Sequence, residues 1–284
     1  MPSKRALHAV RLPAVAGTFY PDDPELLLHT LKTFYRDADN HAIDGRIIAL
    51  VVPHAGYQYS GLTAANGYKL LTSDRFETVV VVSPSHREYF HGISVCDGSA
   101  YRTPLGDLLI DDSRRDALVA NDSLIERSAQ GHRAEHALEV QLPFLQTTVG
   151  SFKLLPIVMG DQRREFCFHL GEKLAAILFG RDDVLLVASS DLSHYYPSAI
   201  ARTLDRVFIE DVAALDPSRL MNDLETDRTE ACGGGPTVAV LDASQRLGAN
   251  RVTMLHQCNS GDITGDHSSV VGYCSAVIYQ SPIH

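Results

Sequence analysis

The 284-residue chain lacks the closely spaced cysteine pairs that mark zinc ribbons and redox motifs: Cys96, Cys167, Cys232, Cys258 and Cys274 are scattered and no CxxC occurs. An odd number of thiols cannot all pair within one chain, which points to a reducing compartment. No stretch approaches the roughly 20 apolar residues needed to cross a bilayer. Met1–Val15, broken by His8, Arg11 and Pro13, has no continuous apolar segment of the signal-peptide kind. A cytoplasmic protein without membrane contact is expected. Basic charge is also short: 25 Lys and Arg stand against 35 Asp and Glu, a net charge of −10. A surface that grips nucleic acid by displacing counterions from phosphates needs the opposite balance, so no nucleic-acid partner is expected. Repeats, low-complexity tracts and long Ser/Pro/Gly linkers are missing too, and residues 1–284 read as one domain. What is present, 45% hydrophobic and 21% charged residues, is the composition of a globular protein with a sizeable core.

Four short apolar runs, Ile47–Val52, Thr78–Val82, Phe152–Val158 and Val184–Ala188, have the uninterrupted hydrophobicity of strands covered on both faces. Between them, Gly61–Leu71, Glu135–Gln146, Arg164–Phe179 and Ser198–Leu215 return apolar residues at helical intervals. Pro236–Leu247 reads as a further helix, followed by strands at Arg251–His256 and Val270–Tyr279 around a polar loop. The alternation predicts an α/β fold with a central mixed β-sheet flanked by helices.

The informative residues follow the central strands. Ile47–Val52 runs into Pro53 and His54, Thr78–Val82 into Ser83, Pro84, Ser85 and His86, and Val184–Ala188 into Ser189, Ser190, Asp191, Leu192, Ser193 and His194. Ligands of open α/β sheets bind beyond the carboxyl ends of the strands. Pro53 and Pro84 stiffen their turns, a presentation that suits metal ligation. One histidine at a strand end is usually a hydrogen-bonded or solvated side chain; three at equivalent exits favour a site. His8, His29, His41, His91, His132, His169 and His284 have no such framing and read as surface or core.

Three weaker signals remain. Glu135 and Glu139 stand one helical turn apart with His136 beside the first, a spacing also common on solvated helices. Cys258, near His256, reads either as an inert buried thiol or, with two histidines, as part of a soft metal site. Gly233–Gly235 at a helix start offers backbone N–H groups to an anion, although close backbone packing is the plainer role and neither the P-loop nor the dinucleotide pattern is matched. Cys232 and Cys274 read as structural.

An ordered set of motifs then covers nearly the whole chain: RLPAVAGTFYP at 11–21, PHAGY at 53–57, SPSH at 83–86, EHALEVQLPFL at 135–145, SSDLSH at 189–194, GDITGD at 261–266 and SVVGY at 269–273. It resembles the Memo family, whose prokaryotic members are known as AmmeMemoRadiSam system protein B. The resemblance implies a fold similar to class III extradiol dioxygenases, non-haem Fe(II) enzymes with two histidines and a glutamate on iron. Carried across, His54 and His86 take the histidine-ligand positions, Cys258 replaces the carboxylate, and His136 and His194 match acid–base or substrate-contacting histidines. Asp191 is expected to orient His194.

The expected cofactor is one transition-metal ion, with Fe(II) favoured by the resemblance and Cu(I) or Zn(II) compatible with the ligand types. Three functional classes follow: a metal-dependent redox protein acting on a small molecule, a binding protein for a small-molecule or peptide ligand in the same pocket, and a zinc hydrolase. The family name implies a pathway shared with AMMECR-type and radical S-adenosylmethionine proteins.

Overall fold

The apolar runs become the middle of one large sheet in the computed structural model of the chain, which describes residues 9–71 and 75–282. His8 and His284 lie outside the described residues. The strands are β1 (Val10–Arg11), β2 (Arg46–Val52), β3 (Thr78–Pro84), β4 (Ile93–Cys96), β5 (Ala100–Thr103), β6 (Gly106–Leu109), β7 (Ile125–Ser128), β8 (Lys153–Met159), β9 (Val184–Ser189), β10 (His194–Tyr196), β11 (Arg251–Asn259) and β12 (Val270–Gln280). The α-helices are α1 (Pro24–Asp37), α2 (Tyr57–Tyr68), α3 (Asp112–Val119), α4 (Leu142–Thr148), α5 (Arg164–Leu178), α6 (Ser198–Ala213), α7 (Pro217–Glu225), α8 (Gly234–Arg246) and α9 (Ser260–Thr264). Among the described residues none is long and apolar enough to cross a membrane.

The large sheet runs β10-β12-β2-β9-β3-β8-β4-β7, with β11 also paired to β12. Its centre, β2-β9-β3-β8, is parallel, whereas β12 joins β2 and β4 joins β8 in antiparallel fashion. The sheet is therefore mixed, as the sequence predicts. Successive strand side chains point to opposite faces, so the consecutive valines of β3 divide between two cores. Val80 and Val82 meet α5 and α8 through residues such as Phe166, Leu170 and Val240. Val79 and Val81 share the other core with Leu27 and Leu31 of α1, Ala64 and Tyr68 of α2, and Phe144 of α4. A three-stranded sheet, β1-β5-β6, contributes Tyr101 and Leu108 to that second core.

The spatial order of strands builds the site. β9 lies between β2 and β3, both parallel to it, so the three segments leaving their carboxyl ends stand side by side. These are the segments carrying His54, Asp191 and His86.

The predicted helix Glu135–Gln146 is the one clear departure. A 3-10 turn at Glu139–Gln141 leads into α4, and Glu135–Leu138 is not helical. The Glu135 carboxylate accepts the backbone N–H groups of His136 and Ala137, both at 2.9 Å, and so competes with helical pairing. Glu139 is fully buried and ties down the N-terminal segment. It pairs with the Arg11 guanidinium and accepts from Ala14 N–H at 2.8 Å, Val15 N–H at 3.1 Å and the Tyr20 hydroxyl at 2.6 Å. Arg11 also donates to the backbone carbonyls of His132 (2.9 Å) and Glu135 (2.6 Å), which sets the segment on which His136 stands.

Candidate metal centre

His54, His86 and His136 converge: each offers a ring nitrogen, and the three atoms lie within 4.8 Å of one another. Ring centroids are separated by 5.1 Å (His54–His86), 5.6 Å (His54–His136) and 4.7 Å (His86–His136). They open onto a cavity of about 770 Å³ that Asp191, His194 and Cys232 also line.

Hydrogen bonds behind the rings decide which nitrogen each presents. The Tyr68 hydroxyl donates to Gln141 Oε1 (2.9 Å), which turns Gln141 Nε2 towards Pro53 O (2.9 Å) and Ser189 Oγ (2.8 Å). Ser189 spends its single proton on Ala137 O at 2.6 Å, so it can only accept from His54 Nδ1, 2.9 Å away. His54 therefore carries its proton on Nδ1 and presents a bare Nε2. Burial, with the neighbouring His86 and His136, holds its pKa well below the usual imidazole range and keeps the ring neutral.

His86 reaches the same state by another route. Its Nδ1 lies 3.0 Å from Glu135 Oε1, and its backbone N–H donates to Glu135 Oε2 at 2.5 Å. Burial pushes the Glu135 carboxyl up, but contacts with His136 and His86 outweigh it and hold the group far below the ordinary carboxylate range. An ionised carboxylate only accepts, so His86 Nδ1 is the donor and Nε2 is free. Such carboxylate and hydroxyl partners are the usual means of orienting histidine ligands. His136 differs. Its buried Nδ1 lies 3.2 Å from Glu135 Oε1, within ion-pair distance of the same carboxylate.

Cys232 brings a sulfur to this cavity. Its Sγ lies 3.0 Å from His54 Nε2, and burial raises its pKa well above the usual thiol value. Two expectations are corrected here. Cys258, expected as the sulfur ligand, is not brought to the histidines: its Sγ lies 3.2 Å from Thr63 Oγ1 and borders a separate cavity of about 170 Å³ beside Arg202 and Asp205. Cys232, read as structural, lines the pocket instead, whereas Cys274 is buried in the core. Local sequence could not separate the two thiols, because the placement of Cys232 depends on how α8 docks. That docking uses Gly233, where a Cβ would run into Ser189 O and Ser190, and Gly235, where one would meet Gln162. Gly233 N–H is spent on Ser190 Oγ (3.1 Å) and Gly235 N–H on Gln162 Oε1 (2.8 Å), so the glycines serve close packing and not an anion.

Asp191 holds the turn that carries His54. Its Oδ1 accepts the His54 backbone N–H at 2.6 Å and clamps the turn after β2. Burial pushes its pKa up to about 6 against the backbone hydrogen bonds from His54 and Ala55. His194 lines the cavity with its backbone N–H on Glu230 Oε1 (3.2 Å) and its Nδ1 3.8 Å from the same atom. Ser189 and Gln141, which fix the His54 tautomer, escape sequence reading; Ser189 at least stands at the same strand exit as Asp191.

Of the remaining histidines, His132 is buried between Tyr101 and Ser94, His169 pairs with Asp122, and His91 is exposed against Phe166.

Comparison with known proteins agrees with this arrangement of motifs. The model of the family described as Memo-like protein matches residues 11–277. A MEMO1 family protein of Methanocaldococcus jannaschii is 37% identical over 96% of this chain and 100% of its own length. One of Methanothermobacter thermautotrophicus is 36% identical over 93% of this chain and 98% of its own. Among solved structures, an uncharacterized Escherichia coli K12 protein aligns with a TM-score of 0.48 at 19% identity, covering 82% of this chain and 100% of that one. By the match over residues 11–277 and by relatives that align along nearly their whole length, the chain belongs to the Memo-like family.

Proposed function

We propose that the protein is a mononuclear metalloprotein in which His54, His86 and Cys232 hold a transition-metal ion, and that His136 and His194 handle protons on a small molecule bound beside it. The observation that carries this reading is the pair of imidazoles fixed with Nε2 unprotonated, one of them facing a thiol at 3.0 Å. Neutral nitrogen donors and one sulfur suit Fe(II), Cu(I) or Zn(II), and we favour iron on the resemblance of the motifs to a family related in fold to extradiol dioxygenases. A metal held there would supply a Lewis-acidic or redox-active centre, with Cys232 ligating as its thiolate.

The chain's own residues divide the remaining work. Ser189 and Glu135 aim the two ligand imidazoles. Asp191 holds the backbone of His54 in place. His136 is assigned the proton-handling role, with Nδ1 set 3.2 Å from the Glu135 carboxylate and the Phe19 ring against it, 4.7 Å between centroids, limiting how far it turns.

Metal analysis of anaerobically purified protein tests the reading. Near-stoichiometric metal is expected in the parent and in His136→Gln, and loss in His54→Ala and His86→Ala. Unchanged metal in both alanine variants rejects the centre. Oxygen uptake by iron-loaded protein with catechols then separates redox turnover from ligand binding alone.

A further inference from the structure

The cavity in front of the histidines carries fixed charge of one sign. Its lining includes no lysine or arginine, while Asp191 stands at its buried end and Asp266 at its exposed end. Two more carboxylates back the lining histidines, Glu135 behind His86 and Glu230 beside His194. Asp266 receives both of its hydrogen bonds from Ser268, N–H at 2.9 Å and Oγ–H at 2.6 Å, on Oδ1, which leaves Oδ2 unengaged.

Aromatic rings line the same cavity. Tyr59 is 37% exposed and Tyr195 is 76% exposed. Tyr195 is held at φ +65°, a region that bulky L residues seldom enter, where the β10–β12 register breaks between His194 and Tyr196. The ring meets His194 edge-on, 5.7 Å between centroids, and the strained backbone otherwise keeps it in water at the edge of the cavity. Ring faces are negative, and rings that share a cavity with a carboxylate and no lysine or arginine form the chemistry that holds an ammonium ion.

We infer that the exposed end of this cavity recognises an organic ammonium group, so that the small molecule presented to the histidines is an amine and not a carboxylate or a phosphate. An anionic group there would meet Asp266 with no lysine or arginine in the lining to offset it. The inference rests on reading the cavity as the ligand chamber and does not require the metal to be redox-active.

Calorimetric titration of chelator-treated protein with tyramine, 4-ethylphenol and 4-hydroxyphenylacetate tests it, because the three share a phenol ring and differ in charge. Tyramine is expected to bind about tenfold more tightly than 4-hydroxyphenylacetate, with 4-ethylphenol between them. Asp266→Asn should bring the two charged probes to within about twofold of each other. Tyr195→Asn removes the ring while tolerating the left-handed backbone, and should weaken tyramine selectively. Equal affinity for the charged probes, tighter binding of the carboxylate, or no saturable heat with tyramine overturns the inference. Repeating the titration on zinc-loaded protein keeps the two readings apart. Charge preference without metal retention at His54 and His86 sinks only the metal centre, and metal retention without charge preference sinks only the ammonium site.

Discussion

Cys232 Sγ and His54 Nε2 stand 3.0 Å apart although 178 positions separate them in the chain. Cys232 is thereby the thiol whose removal is felt at the histidines. Cys232→Ala should lower metal affinity by at least about 100-fold, whereas Cys258→Ala should retain stoichiometric metal, both read by elemental analysis after anaerobic purification. The opposite ranking would return the sulfur ligand to β11.

Ser189 joins three groups, His54 Nδ1, Ala137 O and Gln141 Nε2, the last of which also donates to Pro53 O at 2.9 Å. Ser189→Ala leaves His54 Nδ1 without this partner in a buried setting and frees the His54 tautomer. A stability loss of about 1–3 kcal/mol in urea denaturation and a fall of about 10–100-fold in metal affinity by chelator competition are expected. A stability loss with unchanged metal affinity would mean that the hydroxyl packs the turn without aiming the ring.

The Arg11–Glu139 pair is buried on both sides. Removing one partner strands the other charge, so Arg11→Met should cost about 3–5 kcal/mol by chemical denaturation. A loss under about 1 kcal/mol would show that water reaches the pair.

His132 sets a pH dependence away from the metal ligands. Burial, opposed by the Ser94 carbonyl, lowers its pKa from 6.5 to about 3. The folded state therefore binds this proton more weakly than the unfolded state. Its stabilising contribution is complete above pH 6.5 and is lost as the pH falls towards about 3. Within that window unfolding free energy should decline by about 1.4 kcal/mol per pH unit from this group, and His132→Gln should remove that slope. Parallel stability–pH curves for the two proteins would refute it.

The parts of the fold legible in the sequence are those governed by local pattern. β2, β3, β8 and β9 are buried on both faces, so their residues form continuous apolar runs, and His54, His86 and Asp191 follow at once because they sit where those runs end. Glu135–Leu138 misleads because its helical spacing is real but its carboxylate captures the backbone N–H groups a helix would need. The choice between Cys232 and Cys258 depends on contacts remote in sequence: the register of β11 on β12 turns Cys258 towards Thr63, and the glycine-mediated docking of α8 brings Cys232 to His54.

Because the donors sit on segments that meet only after β2, β3 and β9 have aligned and α8 has docked, no fragment of the fold owns a finished centre. An ion held there acts as a clasp, favouring the completed topology over every partly assembled one. On the proposed reading, metal-loaded protein therefore resists unfolding at denaturant concentrations that open the metal-free chain.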